Sequence, residues 1–102
     1  MARIIWTEPA LQELDEIADY ISLDNPTAAK KLVREAFRRI DFLAHHPESG
    51  KLIVQFENSV YREVVLPPCR IFYRVADEVV YIIYVIREEQ FLHVEILKSR
   101  KP

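Results

Sequence analysis

The sequence is poor in the residues on which several kinds of functional site depend. Its only glycine is Gly50, so a glycine-rich loop that cradles phosphates is excluded. Its only cysteine is Cys69, which excludes an internal disulfide and a Cys-x-x-Cys metal site, and we interpret it as a small packing residue. The longest apolar run, Val79 to Ile86, has eight residues and is too short to cross a bilayer. The N-terminus also lacks the apolar stretch of a signal peptide. We therefore expect a cytoplasmic protein that does not engage a membrane.

Positive charge is also in short supply. The 102 residues include 14 Lys and Arg and 16 Asp and Glu, for a formal net charge of −2. Proteins that bind nucleic acid through its phosphates usually carry a surplus of basic residues, so strong direct binding to nucleic acid is not expected. Half of the residues are apolar and 29% are charged, which is typical of one globular domain with one core. No cofactor is indicated, and the adjacent His45 and His46 lack the third ligand of a metal site.

The N-terminal half predicts a short strand followed by two helices. The apolar residues of segment 3–6 indicate the strand. Thr7 then provides an N-cap for a helix near 8–21, and a break at 22–26 precedes a second helix near 26–44. Each helix has apolar residues at spacings of three and four along one side. They are Leu11, Leu14, Ile17, Ala18 and Ile21 in the first, and Ala29, Leu32, Val33, Ala36, Phe37, Ile40 and Leu43 in the second. Because the link is short, the helices should form an antiparallel hairpin.

The remaining sequence predicts an antiparallel meander of three or four strands. Segments 52–56 and 79–87 are two of them, and 60–66 and 70–76 form a hairpin over the Pro67-Pro68 pair. Residues 88–102 are ambiguous: the alternation of apolar and polar residues after position 91 favours an extended segment, and a short helix is the alternative. The helices need to cover one face of the sheet. The fold class is therefore α+β, with the other sheet face uncovered.

Strand parity predicts which side chains lie on that uncovered face, because successive side chains point to opposite sides of a sheet. Pairing Val65 with Arg70 across the first turn and Val75 with Val80 across the second places a mixed aromatic and charged set there. The set is Tyr61, Glu63, Arg70, Phe72, Arg74, Tyr81, Ile83, Val85 and Arg87. Two interpretations remain open: a solvated face with a Glu63–Arg74 ion pair, or a recognition surface in which arginines and aromatic residues bind a partner.

Several stretches together resemble the ParE/RelE superfamily of bacterial toxins from type II toxin–antitoxin modules, a group that includes plasmid stabilization proteins. The stretches are IIWTEPALQELDEIADYI, DNPTAAKKL, HHPESGK and YREVVLPPCRIFYRV followed by DEVVYIIYVIRE. The resemblance covers residues 3–88 as a single toxin domain, with 89–102 as a C-terminal tail, and it tilts toward the ParE branch. It implies a cognate antitoxin that wraps a segment across the toxin. For ParE-like members it implies poisoning of DNA gyrase, and for RelE-like members cleavage of messenger RNA in the ribosome.

The two branches differ in the basic residues with which RelE-like nucleases hold the scissile phosphate. Arg70 matches the strand arginine of that set, and Arg62 and Arg87 match basic positions approximately. A further lysine is replaced by Val64, the residue after Arg87 is Glu88, and no tyrosine follows Tyr84. Acidic groups in a phosphate site would repel the substrate. The sequence thus favours a ParE-like toxin with no catalytic activity of its own. Its candidate target-binding residues are Arg62, Arg70, Phe72, Arg74, Tyr81 and Arg87.

Overall fold

The computed structural model describes residues 1–100, which form one mixed sheet, a helix hairpin and a short C-terminal helix. The elements in chain order are β1 (Arg3–Trp6), α1 (Glu8–Ser22), α2 (Pro26–Asp41), a 3₁₀ turn (Phe42–Ala44), β2 (Lys51–Leu52), β3 (Tyr61–Leu66), β4 (Cys69–Ala76), β5 (Val79–Arg87) and α3 (Val94–Ser99). The strand order is β1-β5-β4-β3-β2, with β1 parallel to β5 and the other neighbours antiparallel. The predicted α+β architecture is confirmed. No helix in this part of the chain is long and apolar enough to cross a membrane.

The helix hairpin begins where the sequence predicts, because both N-caps form. The Thr7 hydroxyl accepts a hydrogen bond from the Ala10 amide at 3.4 Å and donates one to the Ile82 carbonyl at 2.7 Å, which ties the start of α1 to β5. The Asn25 side chain accepts from the Ala28 amide at 3.0 Å at the start of α2. These bonds satisfy amides that have no partner within the helix. The predicted second helix is α2 followed by the 3₁₀ turn.

A first core fills the space between the hairpin and the sheet. Its fully buried members include Leu14 of α1, Ile40 of α2 and Tyr73 of β4. The predicted stripes supply most of the helix side, but Phe37 is 37% exposed. Its ring packs on Trp6 with 4.9 Å between the ring centroids. The assignment of Phe37 to the core was therefore wrong, because the short strand β1 brings Trp6 to the margin of the hairpin.

The predicted strand 52–56 is wrong, since β2 pairs through Lys51 and Leu52 alone. One further backbone bond joins the Ile53 amide to the Tyr61 carbonyl at 2.8 Å. The Ile53 side chain then enters the interior, and the chain turns back at Asn58, whose φ is 57°. Asparagine adopts this left-handed conformation at low cost, so segment 54–60 forms a loop.

The predicted register holds across the first hairpin and changes within the second. Val65 lies opposite Arg70 and Val75 opposite Val80, as predicted. Further along the second hairpin, β5 contains one extra residue. Tyr73 lies opposite Ile82 but Phe72 lies opposite Tyr84, so Ile83 has no partner on β4. This bulge puts two consecutive side chains on one face and reverses the parity of the residues that follow. The predicted positions of Val85 and Arg87 on the face away from the hairpin are therefore wrong.

The sheet face away from the hairpin is covered, which corrects the expectation of an uncovered face. Helix α3 crosses it, and Leu97 is fully buried there against a second core. That core consists of Ile53, Tyr61, Phe72, Ile83, Tyr84, Ile86 and Leu97. The short helix was the less favoured alternative for the C-terminal segment, and it is the one observed over Val94–Ser99. The part of that segment at 101–102 lies outside the described residues.

Candidate functional site

Arg70 is held by an ion pair within the sheet. Its Nε lies 2.8 Å from Oε2 of Glu63, whose side chain is 8% exposed, and its guanidinium sits 5.0 Å from the centre of the Phe72 ring. The Glu63–Arg74 pair of the solvated-face interpretation therefore does not form, although Arg70 and Arg74 are both diagonal neighbours of Glu63. Because Glu63 is buried and Arg70 neutralises it, this arginine has a structural role in the sheet.

Phe72, a second candidate, is fully buried. It lies in the second core with Tyr84, the two ring centroids being 5.8 Å apart, and Leu97 of α3 belongs to the same cluster. The assignment of Phe72 to an accessible binding face was wrong. Its parity was correct, but α3 closes the face to which it points.

Arg87 lies on the same side of the sheet as the helix hairpin, as a result of the bulge. Its guanidinium is 5.1 Å from the centre of the Tyr20 ring of α1, and its Nε is 2.6 Å from Oε1 of Glu89. The side chain is 42% exposed. Of the predicted cations, Arg87 thus remains accessible at the rim between β5 and α1, although a carboxylate already accompanies it.

Arg62 fixes the loop that leads into β2. Its Nη1 donates to the carbonyls of Glu48 and Gly50 at 3.1 and 2.9 Å. Tyr73 supports the same loop: its hydroxyl donates to the Pro47 carbonyl at 2.8 Å and accepts from the Gly50 amide at 2.9 Å. Burial raises the pKa of this phenol.

The single glycine of the sequence is required at this point. A Cβ on Gly50 would lie 2.5 Å from the Tyr73 hydroxyl and 2.9 Å from the Glu63 carbonyl oxygen, closer than van der Waals contact allows. Arg62 therefore takes part in a set of loop contacts that only glycine permits at position 50, through the hydrogen bonds of its Nη1 to the Glu48 and Gly50 carbonyls.

Arg74 and Tyr81 are direct cross-strand partners on the face that carries α3. Both are partly exposed. Of the six candidates, Arg74 is the one whose guanidinium forms no hydrogen bond or ion pair within residues 1–100, and its Nε is buried without an acceptor. The structure thus separates the predicted set into internal contacts, at Arg62, Arg70 and Phe72, and accessible positions, at Arg74, Tyr81 and Arg87.

A feature that the sequence did not reveal is the closure of the free edge of β5. Strand β1 ends opposite Ile82, so the later part of β5 has no strand beside it. Glu13 of α1 takes the place of the missing strand, because its Oε1 accepts a hydrogen bond from the Val85 amide at 3.1 Å. Arg100 completes the arrangement by donating to the Ile83 carbonyl at 3.1 Å. An ion pair between two side chains thus occupies backbone groups that would otherwise be open to a foreign strand.

The same ion pair fastens the C-terminal helix. The two terminal nitrogens of Arg100 lie 2.8 and 2.9 Å from the two carboxylate oxygens of Glu13, a bidentate geometry. The guanidinium also lies 4.6 Å from the centre of the Tyr84 ring. In the sequence Glu13 belongs to the solvated side of a helix and Arg100 to a short basic end. The separation of 87 residues left no signal that they meet.

The helix hairpin presents an accessible surface with apolar and basic parts. A groove of about 490 Å³ runs between α2 and the β3–β4 turn, and its lining includes Ile21, Leu32, Leu66 and Pro67. Further apolar side chains, among them Leu23, are exposed at the ends of the hairpin. The basic residues of α2 are Lys30, Lys31, Arg34, Arg38 and Arg39. This surface has the mixture of apolar area and charge that is typical of protein interfaces.

Residues 1–100 contain no cluster of three or more His, Cys, Asp or Glu side chains that could hold a metal ion. Cys69 is fully buried, and burial together with the nearby Glu88 raises the pKa of its thiol to about 11. A thiol of this kind is not ionised near neutral pH and is a poor nucleophile. Its prediction as a packing residue agrees with this environment.

Comparison with known proteins identifies the family. The family model described as the ParE toxin of the type II toxin–antitoxin system parDE matches residues 4–91. A toxin of Caulobacter vibrioides named RelE2 is 40% identical over 84 residues, which are 81% of this chain and 91% of that toxin.

Two solved structures share the fold. A chromosomal ParDE system from P. aeruginosa superposes with a TM-score of 0.71 at 24% identity, covering 87% of this chain and 98% of the other. The RelBE2 toxin–antitoxin complex from Mycobacterium tuberculosis gives a TM-score of 0.57 at 22% identity, covering 84% and 96%. With the family match over residues 4–91, the chain belongs to the ParE toxins of type II toxin–antitoxin systems, within the ParE/RelE superfamily.

Proposed function

We propose that this toxin acts by binding DNA gyrase and blocking replication, without catalytic activity of its own. The observation that carries the proposal is the internal use of the arginines at the positions where RelE-like nucleases hold phosphate. Arg70 is neutralised by the buried Glu63, and Arg62 is bound to backbone carbonyls. Arg87 is paired with Glu89. These positions therefore offer no cluster of free cations.

A ribonuclease would need more at this place than positive charge. Phosphoryl transfer requires groups that stabilise the extra negative charge of the transition state and a positioned acid or base. Glu63 already occupies Arg70, and Glu88, which directly follows Arg87 in the sequence, would repel a phosphate. Val64 points into the first core. Tyr84, the last tyrosine of the chain, lies in the second core, where burial raises its pKa. This environment is better suited to binding a protein than to cleaving a phosphodiester.

We further propose that a cognate antitoxin covers the helix hairpin and the adjoining sheet edge. The groove between α2 and Pro67 can receive apolar side chains, while the basic face of α2 attracts acidic ones. An amphipathic acidic segment that becomes ordered on binding fits both features. Electrostatic attraction should make association faster at low salt, and an association rate that does not change with salt would contradict this part of the proposal.

The RelE-like alternative, a ribosome-dependent mRNA endoribonuclease, keeps one specific observation in its favour. The relative from Caulobacter vibrioides, 40% identical over most of its length, carries a RelE name. The experiment therefore has to distinguish the two activities directly.

The test uses the full-length toxin, released from its antitoxin and refolded, in two assays run side by side. The first measures DNA supercoiling by purified gyrase and the trapping of gyrase–DNA cleavage complexes. The second measures cleavage of mRNA on translating ribosomes. We expect inhibition in the first and intact mRNA in the second. Arg87→Ala should weaken the inhibition, while Arg3→Ala, an exposed arginine on β1, serves as the matched control. Codon-dependent mRNA cleavage with unaffected gyrase would overturn the proposal in favour of the RelE-like alternative.

A further inference from the structure

We propose that Arg74 and the two tyrosines beside it form a binding slot for a single carboxylate group. Tyr61 of β3 lies directly opposite Arg74 of β4, and Arg74 lies directly opposite Tyr81 of β5. Directly opposed residues of antiparallel strands bring their Cβ atoms to within about 5 Å on one face. The Arg74 side chain therefore starts between those of Tyr61 and Tyr81 on one face of the sheet.

Arg74 differs from Arg62, Arg70 and Arg100, which lie on or against the same sheet. Arg70 and Arg100 are each bound to a carboxylate, and Arg62 is bound to two carbonyls. Within residues 1–100, Nε of Arg74 is the only buried side-chain nitrogen or oxygen atom with no hydrogen-bonding partner. A buried donor without an acceptor is costly, and native structures contain few of them. The two terminal nitrogens of Arg74 also have no partner among the described residues, but they are not buried, so an acceptor from outside the chain can reach this guanidinium.

The carboxylate of Glu63 is a diagonal neighbour of Arg74, but it is bound to Arg70, so the slot offers donors without a free charged acceptor. Neither the Tyr61 nor the Tyr81 hydroxyl forms a hydrogen bond within the described residues, in contrast to Tyr73. Since neither hydroxyl is among the buried atoms without a partner, both reach solvent. The slot is therefore open to a ligand, and the ligand must be an acceptor. Phenol O–H and guanidinium N–H donors together match an oxyanion.

The neighbourhood favours a carboxylate over a phosphate. A guanidinium edge and a planar carboxylate match in a two-bond geometry. A dianionic phosphate would feel more strongly the acidic turn at Asp77 and Glu78, which begins three residues after Arg74, and the net negative charge of the chain. Lys98 of α3 lies 5.2 Å from the centre of the Phe56 ring, and that ring is 6.0 Å from the ring of Tyr61. Lys98 thus adds one positive charge at the margin of the slot, enough for a single acidic side chain of a protein partner.

The test observes the Nε–H resonance of Arg74 by ¹H–¹⁵N NMR in the full-length toxin, during titration with sodium acetate. Sodium phosphate and sodium chloride at equal ionic strength provide the comparison. The Nε–H resonance of Arg70 is an internal control, because Glu63 already occupies that donor. We expect saturable shifts of the Arg74 Nε–H signal and of the Tyr61 and Tyr81 backbone amide signals with acetate, weaker responses to phosphate, and little change at Arg70.

Two variants link the response to the slot. Tyr81→Phe keeps the ring and should weaken acetate binding roughly three- to tenfold, the loss of one hydrogen bond at a partly exposed site. Arg74→Lys keeps the charge but lacks the two-donor edge, and should abolish the saturable response of the Tyr61 and Tyr81 amide signals. Identical shifts in all three salts, or tighter binding of phosphate than of acetate, would overturn the proposal. The proposed carboxylate slot assumes no particular partner. The outcome of the acetate titration therefore does not decide the proposed function, which the gyrase assay tests separately.

Discussion

The ion pair between Glu13 and Arg100 should be among the most consequential polar contacts of the molecule. In the Glu13→Ala variant, the Val85 amide loses its acceptor and Arg100 loses a bidentate partner at 2.8 and 2.9 Å. The unpaired amide costs about 1 kcal/mol. Loss of the ion pair, whose side chains are only 25% and 22% exposed, adds about 1–2 kcal/mol. We expect the free energy of unfolding to fall by about 2–3 kcal/mol.

Urea denaturation of the variant, read by circular dichroism, measures this change as a lower midpoint at unchanged slope. Arg100→Ala should cost less, about 1–2 kcal/mol, because water can reach the Ile83 carbonyl once the side chain is removed. The double variant should reveal a coupling energy of about 1 kcal/mol, as expected for residues in direct contact. Glu16→Ala is the matched control: Glu16 is exposed and its carboxylate accepts one weak side-chain hydrogen bond, from Gln12 at 3.3 Å, so the change should stay within about 0.5 kcal/mol.

Amide hydrogen exchange separates closure of the sheet edge from a general loss of stability. The Val85 amide should exchange faster in Glu13→Ala than the amides of β4, which are bonded on both sides. If Glu13→Ala and Glu16→Ala cost the same and the exchange of Val85 is unchanged, Glu13 does not close the edge of β5. The explanation of how α3 is fastened would then be refuted as well.

Three further predictions concern the core, a turn and the thiol. Leu14→Ala should cost about 3 kcal/mol and Phe37→Ala only about 1–2 kcal/mol, because Leu14 is 1% and Phe37 is 37% exposed; urea denaturation compares them, and equal costs would contradict the burial argument. Replacing Asp77 and Glu78, at φ 52° and 63°, by Asn-Gly should stabilise the protein by about 1 kcal/mol, since both residues favour this turn; a lower unfolding midpoint would speak against it. Cys69, whose pKa is raised to about 11, should resist a thiol reagent at pH 8 until the protein unfolds, and rapid labelling of the native protein would refute this. The contribution of this thiol to stability should be lost as the pH rises from about 9 toward 11, because only the unfolded chain then ionises.

The sequence contained enough information to predict the helices and most of the pairing between strands. N-caps at Thr7 and Asn25 mark helix starts through a local hydrogen bond, and local bonds can be read from adjacent residues. The register of β3 on β4 follows from turn length and from the need to bury the more apolar face. The helix starts and the register of β3 on β4 both depend on short-range rules, and the structure confirms both predictions.

The bulge in β5 could not be predicted, because this strand is apolar on both faces. From Val79 to Ile86 every residue is apolar or tyrosine, so an inserted residue moves no charge into the core and leaves no trace in the hydrophobic pattern. Its effect is felt at Arg87, which changes sides and meets Tyr20 of α1. Parity arguments are therefore least secure in the strands that are most buried.

Helix α3 was only the less favoured alternative for a related reason. The residues around Val94 satisfy the pattern of a strand as well as that of a short helix, and the one that anchors the helix, Leu97, lies outside the alternating set. Once Leu97 is buried and Arg100 is bound to Glu13, the face that the sequence left open becomes a second core. Whether an arginine on that face can bind a target then depends on what already neutralises it. Glu63 neutralises Arg70 from within the sheet, whereas Arg74 has no acceptor among the described residues. The accessible positive charge of this face is consequently displaced along β4, from Arg70, which resembles a nuclease position, toward Arg74, which does not.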